Sequence, residues 1–159
     1  MTCFVLLHGA YQGPWIWKMV AATLRAKGHE VYVPCLEGCG ERAASVHPGV
    51  TTESQAAEVV EMLRLEDLRE VVLVGTSSGG MVMARTAERA RDRVRRLVFV
   101  DALALLDGEK IRDIVTAPAA IEGPLALGPD RADLLTRSFK DIAPALRDWA
   151  AERVTLHPR

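Results

Sequence analysis

The chain has 159 residues, of which 49% are hydrophobic and 26% charged, and its formal net charge is −1. A chain of this length buries about 70% of the surface that its unfolded form exposes, so we expect one domain or part of one. Because 20 basic residues nearly balance 21 acidic ones, no overall positive field favours nucleic acid or an anionic membrane. Any partner is therefore expected to bind at a local site.

Membrane insertion and secretion are not predicted. The longest apolar stretch, Leu97 to Leu106, is interrupted by Asp101 and is far shorter than the roughly 20 residues of a membrane-spanning helix. The N-terminus, MTCFVLL, has no basic region and no cleavage site of small residues, so we expect a cytoplasmic protein. The three cysteines are odd in number and lack a second metal-binding pair, which predicts free thiols and no metal.

Short apolar runs alternate with segments of helical period, which is typical of an α/β protein with a parallel sheet and helices on both faces. The strands are predicted as continuous apolar runs, since such strands are buried on both sides. In chain order we predict a strand over 3–7, a helix over 15–27, a strand over 29–33, a loop over 34–50, a helix starting from a capping box at Thr52 and Gln55, a strand over 71–74, a helix over 79–90 and a strand over 97–100.

The pattern changes after the fourth strand. Prolines and glycines interrupt the chain between Pro118 and Pro129, and two short helices are predicted over Asp130–Asp141 and Pro144–Val154. No fifth strand is predicted. The sequence therefore divides into an α/β core at 1–117 and a helical cap segment at 118–159.

A nucleophile motif lies between the third strand and the third helix. Residues 75–79 read GTSSG and match G-x-S-x-G, in which small residues permit a sharp strand-to-helix turn that presents the serine. Ser77 is therefore the candidate nucleophile. The alternative is a glycine-rich turn without a catalytic role; a phosphate-binding loop fits less well, because Gly80 is followed by Met81 and not by lysine.

The residues after the first strand complete this arrangement. Acyl transfer needs two N–H donors aimed at the oxyanion, one from the residue after the nucleophile and one from the loop after an early strand. Ser78 and Ala10 fit these two positions, and Gly9 lets the backbone approach closely. His8 is interpreted as a support of this loop.

Four segments give the sequence a resemblance to the α/β-hydrolase superfamily, and within it to the branch of plant methyl-ester esterases, hydroxynitrile lyases and their bacterial relatives. They read HGAYQGPWIW from His8, GHEV from Gly28, LEGCGER from Leu36 and VGTSSGGMV from Val74. The resemblance covers about residues 3 to 110 well and the rest thinly. It implies that the chain is the N-terminal part of such a fold, with the C-terminal strands absent.

The resemblance also implies an acid and a histidine that should follow the nucleophile in the chain. Only His157 follows Ser77 among the histidines, and it lies in the cap segment, so it is a weak candidate for the base. Asp101, at the end of the fourth strand, is a weak candidate for the acid; otherwise it is a polar residue that ends a buried strand. The base and acid are therefore missing from this chain or supplied by another.

The leading functional prediction is hydrolysis of a small carboxylic ester through an acyl-enzyme on Ser77, without metal or organic cofactor. The pocket is expected to be apolar, because the cap contributes leucine, phenylalanine and tryptophan. The alternatives are a lyase of the hydroxynitrile type and an incomplete fragment that binds a ligand. A sheet that ends at its fourth strand also leaves an unpaired edge, so we expect a homo-oligomer or a second chain that supplies the missing strands.

Overall fold

A sheet of four parallel strands forms the centre of the computed structural model, which describes residues 1–110, 125–128 and 131–158. The strands are β1 (Cys3–Leu7), β2 (Glu30–Tyr32), β3 (Val71–Ser77) and β4 (Val94–Ala102). Their order across the sheet is β2-β1-β3-β4, and each adjacent pair is parallel. The predicted α/β fold class is confirmed.

Helices cover both faces of this sheet. They are α1 (Lys18–Ala26), which follows a 3-10 turn at Pro14–Trp17, α2 (Thr52–Leu65) and α3 (Gly79–Arg89). Successive strand residues point to opposite faces: Leu6 packs in the cluster that includes Ala21 of α1, whereas Leu7 packs in the cluster that includes Val59 of α2 and Met83 of α3. No helix within the described ranges is long and apolar enough to cross a membrane.

Two strands are longer than predicted. β3 runs on from Val74 to Ser77, and β4 begins at Val94 and ends at Ala102. The additional residues include glycine, serine and arginines, which an apolar run cannot reveal, because strand bounds follow backbone pairing and β4 lies at an edge of the sheet. The prediction for the start of α2 was also wrong by one residue: Thr51 is the N-cap, and its capping box pairs it with Ser54.

The C-terminal segment differs more from the prediction. It contains β5 (Ala126–Leu127), a helical turn (Arg131–Asp133) continued by a π-helical turn (Leu134–Ser138), α4 (Pro144–Ala151) and β6 (His157–Pro158). β5 and β6 pair antiparallel, so the prediction that no further strand follows was wrong; strands of two residues carry no periodicity. Asp130, the predicted helix start, and the predicted core-to-cap boundary at 117 and 118 lie outside the described residues.

The outer edge of β4 is apolar and exposed to solvent. Phe99 and Val100 keep 42% and 43% of their surface accessible, and no strand of the described residues pairs with this edge. The carboxyl ends of β1, β3 and β4 meet at one side of the sheet, where His8, Ser77 and Asp101 lie.

Candidate active site

The strand-to-helix turn holds Ser77 in a strained backbone conformation. Ser77 is the last residue of β3 and has a φ of 49°, in the left-handed region that non-glycine residues rarely adopt. The flanking glycines are required by space. A Cβ atom on Gly75 would lie 2.8 Å from the Gly79 carbonyl oxygen, and one on Gly79 would lie 2.5 Å from the His8 carbonyl oxygen. The turn therefore has the geometry that the G-x-S-x-G motif predicts.

The side chain of Ser77 is exposed and free. Its hydroxyl makes no hydrogen bond within the part of the chain that the structure describes, whereas its carbonyl oxygen accepts a hydrogen bond from the Leu103 N–H at 2.9 Å. Ser78 takes the N-cap position of α3, where N–H groups have no partner within the helix. Positive potential at this helix end favours negative charge beside Ser77.

The loop after β1 lies directly against the nucleophile. A Cβ atom on Gly9 would lie 2.6 Å from Ser77 Cβ and 3.2 Å from Ser77 Oγ, so only glycine allows this approach. The Gly9 N–H donates to Oε1 of Gln12 at 2.9 Å. The Ala10 N–H has no hydrogen-bond partner among the described residues, which leaves it available to a ligand oxygen.

His8 is a structural residue of this loop. It is fully buried, its Nε2 accepts a hydrogen bond from the Leu36 N–H at 3.1 Å, and Nδ1 lies 3.0 Å from the Gly9 carbonyl oxygen. Since Nε2 accepts, the proton of the neutral ring lies on Nδ1 and is donated to Gly9. Burial lowers the pKa of His8, which keeps the ring neutral. His8 fixes the loop and has no free nitrogen for catalysis.

A cavity of about 570 Å³ opens beside Ser77. It is lined by Ala10, Tyr11, Gln12, Thr76, Ser77, Asp101, Ala102, Leu103, Leu134, Ser138, Phe139 and Val154. The expected apolar cover from leucine and phenylalanine is present. Tryptophan does not contribute, because Trp149 packs edge-on against Trp15 with ring centroids 5.6 Å apart. A cavity of about 600 Å³ along α2 contains none of the candidate catalytic residues.

The structure separates the two weak candidates for acid and base. Asp101 lines the Ser77 cavity, but it contacts no histidine of the described residues. His157 does not line this cavity: its Nδ1 lies 3.5 Å from Cys39 Sγ and its ring meets Tyr11 edge-on at 5.8 Å. Burial, with a smaller effect of His8, lowers the pKa of His157 to about 4.

The structure therefore does not bring His157 to the nucleophile, and the suggestion that His157 is the general base was wrong. The reason is the anchoring of Thr155, two residues earlier: the Thr155 N–H donates to the Tyr11 carbonyl oxygen at 3.0 Å, and the Gly40 N–H donates to Thr155 Oγ1 at 3.1 Å. These bonds hold the segment before β6 between the loop after β1 and the loop after β2.

The described residues contain no group of three or more histidine, cysteine or acidic side chains that could hold a metal ion. Cys3, Cys35 and Cys39 are free thiols. Burial raises the pKa of Cys35 to about 11 and that of Cys39 to about 12, so both thiols stay protonated at neutral pH. Protonated thiols are poor metal ligands and poor nucleophiles.

Sequence reasoning missed two parts of the site. Gln12 was not identified, although it is the polar side chain that satisfies the Gly9 N–H. Two further cap residues that reach the cavity, Ser138 and Val154, carry no local signal, since only tertiary packing selects them from the residues of that segment.

Comparison with known proteins agrees with the geometry. A carbendazim hydrolyzing esterase from Nocardioides sp. (strain SG-4G) is 37% identical over 130 residues, which are 82% of this chain and 50% of the esterase. An alpha-hydroxynitrile lyase from Arabidopsis thaliana is 34% identical over 100 residues, 62% of this chain and 39% of the lyase. Methylesterases of the same plant are also among the relatives. The chain thus spans half or less of the length of these relatives.

A solved structure resembles this chain along nearly its full length. An extracellular alpha/beta-hydrolase from a Paenibacillus species, described as sharing structural and functional homology with tobacco salicylic acid binding protein 2, is 29% identical with a TM-score of 0.85. The alignment covers 99% of this chain and 67% of that one, which agrees with the prediction of an N-terminal part. The sequence model of the alpha/beta hydrolase family matches residues 4–159. With nearly the whole sequence matched, the chain belongs to the alpha/beta hydrolase family.

Proposed function

We propose that this chain carries the nucleophile and the oxyanion-binding groups of an enzyme that hydrolyses a small carboxylic ester. The observation that carries the proposal is the position of Ser77: a free hydroxyl, on a strained turn, at the mouth of a cavity and in contact distance of the Gly9 backbone. Relatives named as esterases and methylesterases support this reaction class.

The chemistry proceeds in two halves. Ser77 Oγ attacks the ester carbonyl and gives up its proton to a general base, while the N–H groups of Ala10 and Ser78 stabilise the oxyanion. Collapse of the tetrahedral intermediate expels the alcohol, which takes the proton back and leaves an acyl group on Ser77. Water then attacks this acyl-enzyme while the same base accepts its proton, and collapse of the second tetrahedral intermediate expels Ser77 Oγ, which takes that proton back from the base as the carboxylic acid leaves.

The general base is proposed to be a histidine from outside the described residues, supplied by further polypeptide or by a second chain. Two observations support this. No histidine of the described residues contacts Ser77, and the edge of β4 presents exposed Phe99 and Val100, where another strand can pair. A homo-oligomer or a complementing chain is therefore the proposed partner. Without a base, the oxyanion-binding groups retain only a small residual rate.

The proposed substrate is small and partly apolar. A cavity of about 570 Å³ lies within the range of sites for small molecules, roughly 300–1,000 Å³. Leu134, Phe139 and Val154 give it an apolar wall, which suits a short aliphatic or aromatic acyl group. The proposed compartment is the cytoplasm, which agrees with three free thiols, since reducing compartments keep thiols free.

A lyase of the hydroxynitrile type is the second candidate, favoured by the relative named as an alpha-hydroxynitrile lyase. In that reaction Ser77 would act in proton transfer and would not carry an acyl group. A third candidate is a chain that only binds its ligand in the cavity.

The experiment that separates the three is a comparison of Ser77→Ala with the parent protein on p-nitrophenyl acetate and mandelonitrile. Ser45→Ala is the matched control, because Ser45 is an exposed serine that donates only to the Arg42 carbonyl oxygen. Esterase chemistry predicts release of p-nitrophenol that is lost in Ser77→Ala and kept in Ser45→Ala. Mandelonitrile cleavage that is lost in Ser77→Ala, without release of p-nitrophenol by the parent protein, would favour the lyase. Failure of a folded parent protein both to turn over either compound and to form a covalent adduct on Ser77 with a fluorophosphonate would favour the binding module.

A further inference from the structure

The pairing of β3 with β4 shifts register beside the nucleophile. Thr76 pairs with Val100, but Ser77 pairs with Ala102, so Asp101 has no partner on β3. Asp101 also has a φ of 44°, in the left-handed region that aspartate tolerates better than most residues. An extra residue of this kind re-aims a side chain and is common beside active sites. Here it places the side chain of Asp101 at the Ser77 cavity.

Asp101 is the only charged residue among those that line this cavity in the described part of the chain. Its side chain is exposed, and it makes no hydrogen bond and no ion pair with another described residue. The carboxylate is therefore open to a ligand. Because a ligand in this cavity lies within a few ångströms of Asp101, their charges interact at short range, where salt screens them less than it screens distant surface charges.

We propose that Asp101 selects the ligands of the Ser77 cavity by charge, favouring esters that carry a cationic or N–H donor group and disfavouring anionic esters. This inference rests on the proposed function of Ser77 for its enzymatic form. An unpaired carboxylate attracts a cationic group by its charge and gains a charge-assisted hydrogen bond where that group carries an N–H, whereas a carboxylate or sulfonate on the ligand meets like-charge repulsion.

The binding test uses three aryl ketones that differ only at the ring 3-position: 3-(trimethylammonio)acetophenone, 3-tert-butylacetophenone and 3-carboxyacetophenone. Ketone binding needs no general base, so calorimetry measures it whether or not the protein hydrolyses esters. The variant is Asp101→Asn, which keeps the shape and tolerates the left-handed backbone. The control is Asp107→Asn, which removes the same charge from a residue that does not line the cavity.

We expect Asp101→Asn to weaken binding of the cationic ketone about tenfold and to strengthen binding of the anionic ketone by a similar factor. The tert-butyl ketone and the Asp107→Asn variant should change little. Equal changes for all three ketones, or equal effects in the two variants, would overturn the proposal, since neither outcome depends on charge at the cavity.

The kinetic test repeats the comparison with the matching 3-substituted phenyl acetates, each rate divided by its rate of alkaline hydrolysis. Charge-dependent changes in kcat/KM on Asp101→Asn support the selection of substrates. A uniform loss for all three esters overturns it and indicates a role in the chemical step. If no ester acylates Ser77 but the ketones still discriminate by charge, the proposed hydrolysis fails while the selection of ligands by Asp101 stands.

Discussion

A methyl group at Gly9 would point directly at the nucleophile. In Gly9→Ala the added Cβ would lie 2.6 Å from Ser77 Cβ, whereas carbon atoms in contact are about 3.5–4.0 Å apart. The loop after β1 and the Ser77 turn must therefore separate by about 1 Å. Both are backbone segments fixed by neighbours, since His8 holds the loop and Gly75 and Gly79 hold the turn.

The expected losses of stability and of rate both follow from this displacement. Overpacking of a filled interior costs about 1–3 kcal/mol of unfolding free energy, and a misplacement of about 1 Å at reacting groups costs about 100-fold in rate. We expect Gly9→Ala to show both effects. Urea denaturation measures the first, and the rate of p-nitrophenol release from p-nitrophenyl acetate measures the second.

Gly28→Ala is the matched control for stability. Gly28 has a φ of 81°, and a Cβ there would meet nothing within 4 Å, so alanine costs about 1–2 kcal/mol through its backbone conformation alone. It should therefore lose comparable stability without loss of rate. The reasoning would be refuted if Gly9→Ala released p-nitrophenol within twofold of the parent rate, or if Gly28→Ala slowed it equally.

Three further predictions concern stability and association. Thr51→Ala should lower the free energy of unfolding by about 1 kcal/mol, because it removes the N-cap of α2, and Thr52→Ala should lower it less. Thermal denaturation of both variants checks this, and a larger loss in Thr52→Ala would contradict it. Burial lowers the pKa of His157 in the folded protein from 6.5 to about 4. Between these two pH values the unfolded chain binds more protons than the folded protein, so the contribution of His157 to the free energy of unfolding is complete above pH 6.5 and is lost as the pH falls towards 4. His157→Gln should flatten this part of the pH profile, and an unchanged slope in urea titrations would count against the assignment. Val100→Lys should reduce self-association measured by light scattering, because it puts a charge on the exposed edge strand β4. Val20→Lys, at a similarly exposed position on α1, should leave self-association unchanged, and equal effects of the two variants would show that the edge of β4 is not the contact.

The core could be predicted because each of its signals is local. The five residues of β1 form one apolar run, and the structure gives the strand the predicted bounds. The turn at Ser77 could be predicted because its glycines are required by contacts with their immediate neighbours. The closeness of the loop after β1 to the Ser77 turn follows from the order of strands, since the carboxyl ends of β1 and β3 lie side by side.

The cap could not be predicted to the same depth, because its structure depends on distant partners. Trp149 was expected in the pocket, yet it packs edge-on against Trp15 within the apolar cluster of the cap and does not line the cavity. His157 was considered as a base, yet it packs against Cys39 and Tyr11 and does not line the Ser77 cavity. The re-aimed side chain of Asp101 depends on a register shift against β3, which residue type alone does not encode.

Ser77 is the proposed nucleophile of this site, and labelling with a fluorophosphonate followed by peptide mass mapping shows whether its hydroxyl reacts. We expect a covalent adduct on Ser77 in the folded protein, formed slowly where no general base is present and absent from Ser77→Ala. An adduct on Ser78 or on another residue, or no adduct in a protein whose denaturation curve shows that it is folded, would contradict it.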